Sequence, residues 1–468
     1  MGPMKNELRA FRLGDIRGLY PEEINESFAV KFAHAFVHHF RVTGSIATGR
    51  DMRVSSFVLQ DALNQGLRES GIDVIDLGLC PTELGYFAST RRGIDAAIIV
   101  TASHNPAQYN GFKCALKDGR AVTFDTGLSE VMELMRAGFH NPPTSGKLKV
   151  LDLRPEYVDF FRSKFANSPL KAEHIALNGL NGTAATLAEI LVSEFELPVT
   201  WFRKEPGPIP SEGADPVNPR LVAQMKAYME SGDFGIGVAW DGDCDRCVFF
   251  DGNGDLVPTY YIVGLLAEKF LQVHQGGVIV FDTKLCWNTL DVIREYGGIP
   301  APSETGHAFM KRKMHEHQAV YGGELSSHHY FKDFFGCDSG MFAWLKVVEL
   351  INQSGANITE LVRERREKVC CTPEISLSLK DTDRAFSEIF NRYEADALNV
   401  DYFDGLGFEM PGDWRFSLRR SKTEPLVRLN LESRGRPDDL LGEGSKLLQV
   451  FEPYRTDVMN CSDSLRIQ

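Results

Sequence analysis

Short apolar runs alternate with amphipathic stretches of helical period over the first three quarters of the chain. The runs at 74–77, 96–100, 175–177 and 278–281 have the length of buried strands. The amphipathic stretch at 22–41 predicts a helix. Three further stretches, which end near residues 70, 196 and 296, also predict helices. The polar, glycine-containing stretch 11–18 predicts a loop. Strands that alternate with helices in this way predict βαβ units and an α/β fold.

The unit of strand, polar loop and amphipathic helix recurs three times, at about the spacing of a domain, and predicts three related α/β domains. The pattern then changes to a helix at 385–397, strands at 407–410, 414–418 and 426–431, and a helix from Pro437. Closely spaced strands predict an antiparallel sheet with helices on one face. Clusters of turn-forming residues and the charged helix end at 363–366 place the domains at 1–148, 149–251, 252–369 and 370–468.

Composition narrows the class of protein. The chain has 468 residues, of which 43% are hydrophobic and 25% charged, as in soluble globular proteins with several domains. Its net charge of -13 argues against binding to nucleic acid or to an anionic membrane. Nine cysteines, an odd number scattered along the chain, indicate reduced thiols in the cytoplasm. Neither an apolar run of membrane-spanning length nor a signal sequence is predicted.

A Ser-His pair follows the strand at 96–100, in the run Thr101-Ala102-Ser103-His104-Asn105-Pro106. Asn-Pro favours a turn, so Ser103 is predicted to lie on a tight loop with its hydroxyl presented. Open α/β sheets bind ligands at such strand ends. Taken alone, the run is also compatible with an ordinary turn.

Three carboxylates at alternate positions, Asp241, Asp243 and Asp245, follow another predicted strand. Such a loop suits a hard divalent cation, because burying like charges without a partner is costly. An EF-hand would need Gly and Glu where Arg246 and Gly252 stand. The Cys244-x-x-Cys247 spacing suggests zinc or redox chemistry but lacks a second pair, and a solvated acidic loop without metal also stays open.

Two further runs carry polar chemistry. Glu324, Ser326 and His328 follow a glycine pair and are suited to bind sugar hydroxyls, donate to a phosphate or move a proton. A polar surface loop is the alternative reading. The run Arg419-Arg420-Ser421-Lys422-Thr423-Glu424-Pro425 predicts a phosphate cradle or, alternatively, a basic hairpin tip. The Gly44-x-x-x-x-Gly49 spacing is not a P-loop, because Arg50 and Asp51 replace the required Lys and Ser/Thr.

These four motifs, in this order, resemble those of the α-D-phosphohexomutases, and within them the phosphomannomutase/phosphoglucomutase group. The resemblance spans essentially the whole chain. It implies three similar mixed-sheet α/β domains and a C-terminal α+β domain like the TATA-box-binding protein, arranged around a central cleft. The four domains would carry, in turn, a phosphoserine loop, a metal loop, a sugar-recognition loop and a phosphate-binding loop.

The resemblance also implies a role for individual residues. Ser103 would be phosphorylated and would complete a site for one Mg²⁺ with Asp241, Asp243 and Asp245. Around the reacting phosphoryl group would lie Arg17, His104, Lys113 and Arg246. Glu324 and Ser326 would bind the O3 and O4 hydroxyls of the sugar. The substrate would also be bound by Lys284, His307, His328, Arg419, Ser421, Lys422 and Thr423. Gly14 stands where many members have Tyr, which predicts a more open wall of the cleft.

The expected reaction is the interconversion of mannose 6-phosphate and mannose 1-phosphate through a phosphoserine and a hexose 1,6-bisphosphate intermediate. His328 and Lys113 are both candidates for the general acid/base. The run 328–334 resembles phosphomannomutases of GDP-mannose pathways and favours mannose. Glucose or glucosamine phosphate as the substrate, a non-catalytic sugar-phosphate-binding protein, and a phosphatase are the alternatives. The expected partners are hexose phosphates, and the chain is expected to be a monomer or a homodimer.

Overall fold

The computed structural model describes residues 8–140, 145–168, 170–171, 173–421, 426–456 and 465–468. The first segment contains the elements β1 (Ile16–Leu19), α1 (Glu26–Phe40), β2 (Ser45–Arg50), α2 (Ser56–Glu69), β3 (Val74–Leu79), α3 (Thr82–Ser89), β4 (Ile94–Val100), β5 (Tyr109–Leu116), β6 (Arg120–Ala121), α4 (Leu128–Arg136) and β7 (Leu148–Val150). They form one mixed sheet of order β1-β5-β4-β2-β3-β7, with β6 beside β5.

The parallel strands of this sheet bring two chemically important loops together. β2 and β4 are parallel neighbours, so the loops that follow Arg50 and Val100 leave the same edge. The Asp51 amide donates to the Val100 carbonyl oxygen at 2.9 Å and fixes that contact. Behind it, α1 packs Phe28 and Phe32 against Phe112 of β5 in a buried aromatic cluster. The core therefore supports the strand ends rigidly.

The predicted loop at 11–18 is wrong in its second half, because β1 begins at Ile16. Ile16 is buried opposite Phe112, and Arg17 pairs with Gly111 across the antiparallel ladder. The alternation that marks a strand was obscured by the arginine and the two glycines of the run. β1 is an edge strand that is stabilised by its pairing with β5. Arg17 is therefore held on regular strand backbone.

The second segment forms another mixed sheet. Its elements are α5 (Arg154–Phe165), β8 (Ile175–Asn178), α6 (Ala185–Phe195), β9 (Val199–Phe202), α7 (Pro219–Glu230), β10 (Ile236–Trp240), β11 (Cys247–Phe250) and β12 (Leu256–Val257). The order is β12-β11-β10-β8-β9, with β8 parallel to β9 and β10 and with β11 antiparallel. The acidic run at 241–245 is the connection between β10 and β11.

The third segment supplies two more groups of functional residues. Its elements are α8 (Thr259–Val273), β13 (Val278–Asp282), α9 (Trp287–Glu295), β14 (Ile299–Ser303), α10 (His307–Glu316), β15 (Tyr321–Gly323), β16 (His329–Phe331), β17 (Cys337–Asp338) and α11 (Gly340–Ser354). β13 and β14 are parallel, whereas β16 and β17 are antiparallel.

The C-terminal segment is an antiparallel sheet with helices on one face, as predicted. Its elements are α12 (Ile358–Lys368), β18 (Cys370–Cys371), β19 (Ile375–Leu377), α13 (Thr382–Tyr393), β20 (Asn399–Asp401), β21 (Leu406–Met410), β22 (Trp414–Arg420), β23 (Val427–Ser433) and α14 (Pro437–Phe451). The sheet order is β18-β23-β22-β21-β20, with β19 beside β23. α13 and α14 pack Ile389 and Leu447 against Phe416 and Leu429 of the sheet. The predicted fold class, mixed-sheet α/β domains followed by an α+β domain, is confirmed.

The chain divides into two compact units. Unit 1 comprises 1–257, 306–322 and 326–357, and unit 2 comprises 258–305, 323–325 and 358–468. The described residues include no helix with the length and apolar character that crossing a membrane requires. All eight cysteines in the described ranges are buried and unpaired.

Candidate active site

Ser103 of unit 1 presents its hydroxyl to the acidic run. The residue has a left-handed φ of 50°, a conformation that non-glycine residues rarely adopt. Its Oγ donates to Asp241 Oδ2 at 2.6 Å, and Nδ1 of His104 lies 3.2 Å from the same oxygen. The Ser103 amide donates to Thr101 Oγ1 at 2.9 Å. The strained backbone thus aims the hydroxyl at the carboxylates.

A buried arginine fixes the Ser103 loop. Arg53 is 3% exposed, and its guanidinium Nε pairs with Asp51 Oδ2 at 3.0 Å. It donates to four loop carbonyls at 2.7–3.0 Å, those of Ser103, Asn105, Pro106 and Tyr109. Because the guanidinium is planar and rigid, these bonds impose one loop conformation. Arg53 was not among the predicted site residues.

The three aspartates between β10 and β11 form a compact buried cluster. Asp241, Asp243 and Asp245 are each 0% exposed, and one oxygen of each lies within 4.8 Å of the other two. Oδ1 of Asp243 is buried and has no hydrogen-bond partner among the residues that the structure describes. Burial, and then the charges of Asp245 and Asp243, raise the pKa of Asp241 well above its usual value. Three buried carboxylates fit a hard divalent cation, and two of them, Asp243 and Asp245, have an Oδ1 without a hydrogen-bond partner among the described residues.

Lys113 of β5 and two threonines balance part of this negative charge. Lys113 Nζ lies 2.7 Å from Asp243 Oδ2 and also contacts Asp245. Burial alone would lower the pKa of Lys113, but the carboxylates outweigh burial and raise it. Thr82 and Thr101 donate to Asp243 Oδ2 at 2.7 and 3.1 Å. The single ammonium of Lys113 does not neutralise three carboxylates, so the cluster can accept a further positive charge.

Two arginines lie beside the cluster, and each has a buried donor without an acceptor in the part of the chain that the structure describes. Arg17 donates to Asn105 Oδ1 at 2.7 Å and to Asp15 Oδ2 at 2.5 Å, and Arg246 Nε is 3.9 Å from Asp241 Oδ2. Within the described ranges, Nε of both arginines is buried and lacks a hydrogen-bond partner. Burial, then Arg246 and Arg17, lower the pKa of His104 well below its usual value. These groups suit an anion such as a phosphoryl group.

The loop before β16 brings Ser326 and His328 to the acidic cluster. His328 Nδ1 lies 2.9 Å from Ser326 Oγ, and its Nε2 lies 3.4 Å from Asp245 Oδ1. The backbones of Arg246 and His328 form an antiparallel bridge, and the Cys247 amide donates to the Ser327 carbonyl at 3.0 Å. The imidazole therefore has a polar group next to each ring nitrogen, which makes it a candidate for proton transfer.

His307, the first residue of α10, occupies the space beside Gly14. A Cβ added to Gly14 would lie 3.2 Å from His307 Nε2, which itself lies 3.9 Å from Asp15 Oδ2. The more open wall predicted from Gly14 is therefore wrong at this point, because the imidazole takes the place of a larger side chain. Burial, then Lys311 and Lys113, lower the pKa of His307 well below its usual value.

Unit 2 holds a separate group of predicted residues. Lys284 Nζ lies 3.4 Å from Asp282 Oδ2, and the amide of Leu325 donates to the same oxygen at 3.0 Å. Glu324, next to Leu325, is 1% exposed. Near the C-terminal sheet, Arg419 Nε lies 3.9 Å from Asp404 Oδ2, and the Ser421 amide donates to Leu426 O at 2.8 Å. Lys422 and Thr423 lie outside the described residues.

Family models match most of the chain. The three models are described as phosphoglucomutase/phosphomannomutase alpha/beta/alpha domains I, II and III, and they match residues 8–141, 155–254 and 258–369. A Xanthomonas campestris protein named "Phosphohexose mutases" is 41% identical over 92% of this chain and 96% of its own length. The chain belongs to the phosphoglucomutase/phosphomannomutase family. The predicted resemblance to α-D-phosphohexomutases is confirmed, and with it the predicted class, an intramolecular phosphotransferase.

Other members of the phosphoglucomutase/phosphomannomutase family match over similar lengths. The phosphomannomutase of Vibrio cholerae is 38% identical over 95% of this chain and 99% of that protein. The phosphomannomutase of Escherichia coli K12 is 39% identical over 92% of this chain and 96% of that protein. A crystal structure of a family protein from Burkholderia thailandensis, 28% identical, covers 95% of this chain and 97% of its own, with a TM-score of 0.85.

Sequence reasoning missed residues that act through backbone contacts. Asp51 and Arg53 directly follow β2, and Thr82 is the first residue of α3. All three lie next to the functional loops. The available signal was the charged run at 50–53 directly after a strand that is parallel to β4. Such a run at the carboxyl edge of a sheet is a candidate for organising a ligand site.

Proposed function

We propose that the protein is a phosphomannomutase that converts mannose 6-phosphate and mannose 1-phosphate through phosphoserine 103 and a hexose 1,6-bisphosphate. The observation that carries the proposal is the 2.6 Å contact of Ser103 Oγ with Asp241, beside the Nε donors of Arg17 and Arg246, which have no partner among the described residues. Relatives at 38–39% identity over almost the whole chain are named phosphomannomutase, which supports mannose as the sugar.

In the first half-reaction, the free hydroxyl of the hexose monophosphate attacks the phosphorus of phosphoserine 103. The new bond joins that hydroxyl oxygen to phosphorus and the bond from phosphorus to Ser103 Oγ breaks. His328 or Lys113 transfers the proton, which leaves the attacking hydroxyl and is replaced by one on the departing Ser103 Oγ. Arg17, Arg246 and His104 hold the phosphoryl oxygens in the orientation for transfer. After the bisphosphate turns over, Ser103 Oγ attacks the other phosphoryl group by the reverse chemistry.

The acidic cluster is also suited to bind a metal ion in this mechanism. We propose that Asp241, Asp243, Asp245 and the oxygen on Ser103 hold one Mg²⁺, which when bound neutralises charge on the transferring phosphoryl group. Lys113 contacts two of these carboxylates, those of Asp243 and Asp245. The lysine thereby keeps the carboxylates in position for the cation.

The remaining residues are proposed to bind the rest of the substrate. Glu324 and Ser326 would accept from and donate to the O3 and O4 hydroxyls, with Lys284 and His307 on the sugar or its phosphate. The phosphate that does not react would be held by Arg419, Ser421, Lys422 and Thr423. Hexose phosphates are thus the proposed partners, with the cytoplasm as the proposed site of action and a monomer or homodimer as the proposed assembly. The proposed domains are 1–148, 149–251, 252–369 and 370–468.

Phosphoglucomutase activity is a second candidate, because the Xanthomonas relative carries the broader name "Phosphohexose mutases". Coupled assays on mannose, glucose and glucosamine 6-phosphates, with released phosphate measured alongside, separate a mutase of each specificity from a phosphatase. Mass spectrometry of the peptide that contains Ser103 tests the mechanism directly. The mechanism is wrong if active protein never carries phosphate there and Ser103→Ala retains full activity.

A further inference from the structure

One carboxylate in unit 2 contacts two of the proposed substrate-binding segments. Asp282 is the last residue of β13, and its Oδ2 accepts the Leu325 amide at 3.0 Å and lies 3.4 Å from Lys284 Nζ. Leu325 follows Glu324 directly, so the carboxylate fixes the sugar-recognition loop and the lysine at a single oxygen. Within unit 2, one side chain therefore contacts both segments.

The residues of this contact are buried, so the loss of their pairing would be energetically costly. Asp282 is 2% exposed, Lys284 7% and Glu324 1%. A charge buried to that degree is costly unless it is paired, so Lys284 is confined to the vicinity of Asp282. Burial raises the pKa of Asp282, the Lys284 charge opposes this effect, and the Glu324 charge adds to it. The resulting pKa is about 6, so Asp282 is largely a carboxylate at neutral pH.

The backbone of the same loop is held from the C-terminal sheet. Arg415 Nη1 and Ser417 Oγ of β22 donate to the Lys284 carbonyl at 3.1 and 2.8 Å. Arg415 is itself paired at 2.8 Å with Glu432, which also accepts the amides of Cys286 and Trp287 at 2.9 Å. The carbonyl is thus fixed, and Asp282 is the residue whose charge acts most strongly on the Lys284 ammonium.

We propose that Asp282 is a positioning residue that holds Lys284 and the Glu324 loop in one arrangement, so that a hexose phosphate meets the ammonium and the sugar-binding carboxylate together. The inference rests on the proposed function, which makes Lys284 and Glu324 substrate contacts. Asp282 itself would touch no substrate atom. Its loss should weaken binding of the hexose phosphate, while the chemistry at Ser103 in unit 1 keeps its residues.

Two substitutions separate the two contacts. Asp282→Asn keeps an oxygen for the Leu325 amide and removes the charge that holds Lys284, whereas Asp282→Ala removes both. For Asp282→Asn we expect KM for mannose 6-phosphate to rise about 10-fold, with kcat changed much less, because binding in the ground and transition states weakens together. Asp282→Ala should in addition reduce discrimination against talose 6-phosphate, the C4 epimer of mannose 6-phosphate, because the Glu324 loop is released.

The double-mutant cycle and the controls decide the outcome. In a Lys284→Met background, Asp282→Asn should change KM less than 2-fold, since residues that act through one another are not additive. Asp291→Asn, at a carboxylate paired with Arg434 in the same unit, should leave both constants unchanged. A lower kcat at unchanged KM, or additive effects in the cycle, would mean a structural role and would overturn the proposal.

If Asp282→Asn does not fold, Asp282→Glu decides instead. The longer side chain keeps the charge but moves the carboxylate from the position where it meets both the Leu325 amide and Lys284, so KM should rise while kcat changes much less. Unchanged KM in Asp282→Glu, or a lower kcat at unchanged KM, would then overturn the proposal. Wild-type protein that lacks mutase activity on every hexose phosphate would refute the proposed function, whereas active wild type with a normal Asp282→Asn variant refutes only this inference.

Discussion

Arg53 donates a hydrogen bond from Nη2 to the carbonyl oxygen of Ser103 at 2.8 Å, and 50 positions of sequence separate the two residues. The same guanidinium binds three more carbonyls of the loop, so it replaces the regular backbone pairing that a loop lacks. A non-glycine residue at a φ of 50° persists only where its surroundings enforce that conformation. Arg53 provides that enforcement.

Replacing Arg53 should therefore impair transfer more than folding. Arg53→Lys keeps the charge near Asp51 but cannot reach four carbonyls, and we expect kcat to fall on the order of 100-fold, the scale of a misplaced reacting group. Mutase activity and thermal melting of the same preparation provide the measurement. Arg68→Lys, which alters an exposed arginine with a bond to Gly146 O, is the control and should be neutral. Full activity of Arg53→Lys would contradict the positioning role.

Neutralising the acidic cluster should stabilise the metal-free protein while it abolishes metal binding. In Asp243→Asn one of three buried like charges disappears, so the free energy of unfolding without metal should rise or stay constant. Wild type should gain about 2.7 kcal/mol at Mg²⁺ 100-fold above its Kd, and the variant should gain nothing. Melting curves with EDTA and with Mg²⁺ measure both effects. An equal Mg²⁺-dependent shift in the variant would exclude the cluster as the metal site.

Crowding at Gly111 ties the missed strand β1 to the site. A Cβ on Gly111 would lie 1.9 Å from the carbonyl oxygen of Ile16, so Gly111→Ala must displace the strand that carries Arg17. We expect a loss of about 1–3 kcal/mol in the free energy of unfolding, as for overpacked sites, together with reduced mutase activity. Gly442→Ala, in α14 with nothing within 4 Å of the added Cβ, is the matched control. Chemical denaturation of both variants checks the difference.

The contiguous motifs were predictable because their chemistry lies in neighbouring residues. Asp241, Asp243 and Asp245 share one short loop, and their contact follows from their spacing alone. Ser103 could be inferred because it ends a recognisable buried strand. The strand at 16–19 could not, because Gly18 stands at its second buried position in place of an apolar side chain, and pairing with β5 stabilises it.

The residues that position others were not predictable for a different reason. Arg53 and Asp282 bind partners 50 and 43 positions away, and their role is defined by which carbonyl or amide they reach. Residue type does not specify that partner, since most buried charges serve to satisfy one another. The wall beside Gly14 illustrates the same limit, because the residue that fills it, His307, comes from a distant helix end.

Glu83 offers a test of the core of unit 1 through pH. The carboxyl is 0% exposed and accepts hydrogen bonds from Tyr157, from Ser339 at 2.7 Å and from the Met341 amide at 3.2 Å. Burial, opposed by these donors, raises its pKa from 4.5 to about 7. The folded state therefore binds an extra proton between these values, and its contribution to stability is lost as pH rises through 7.

Between pH 5 and pH 8, wild type should thus lose up to roughly 3 kcal/mol more stability than Glu83→Gln, whose amide does not titrate. Urea denaturation across this range measures the difference, with Glu156→Gln, at an exposed position on α5, as the control that should follow wild type. Parallel curves for wild type and Glu83→Gln would mean that Glu83 ionises normally in the fold. In that case the carboxylate must be stabilised by its three donors strongly enough to offset its complete burial.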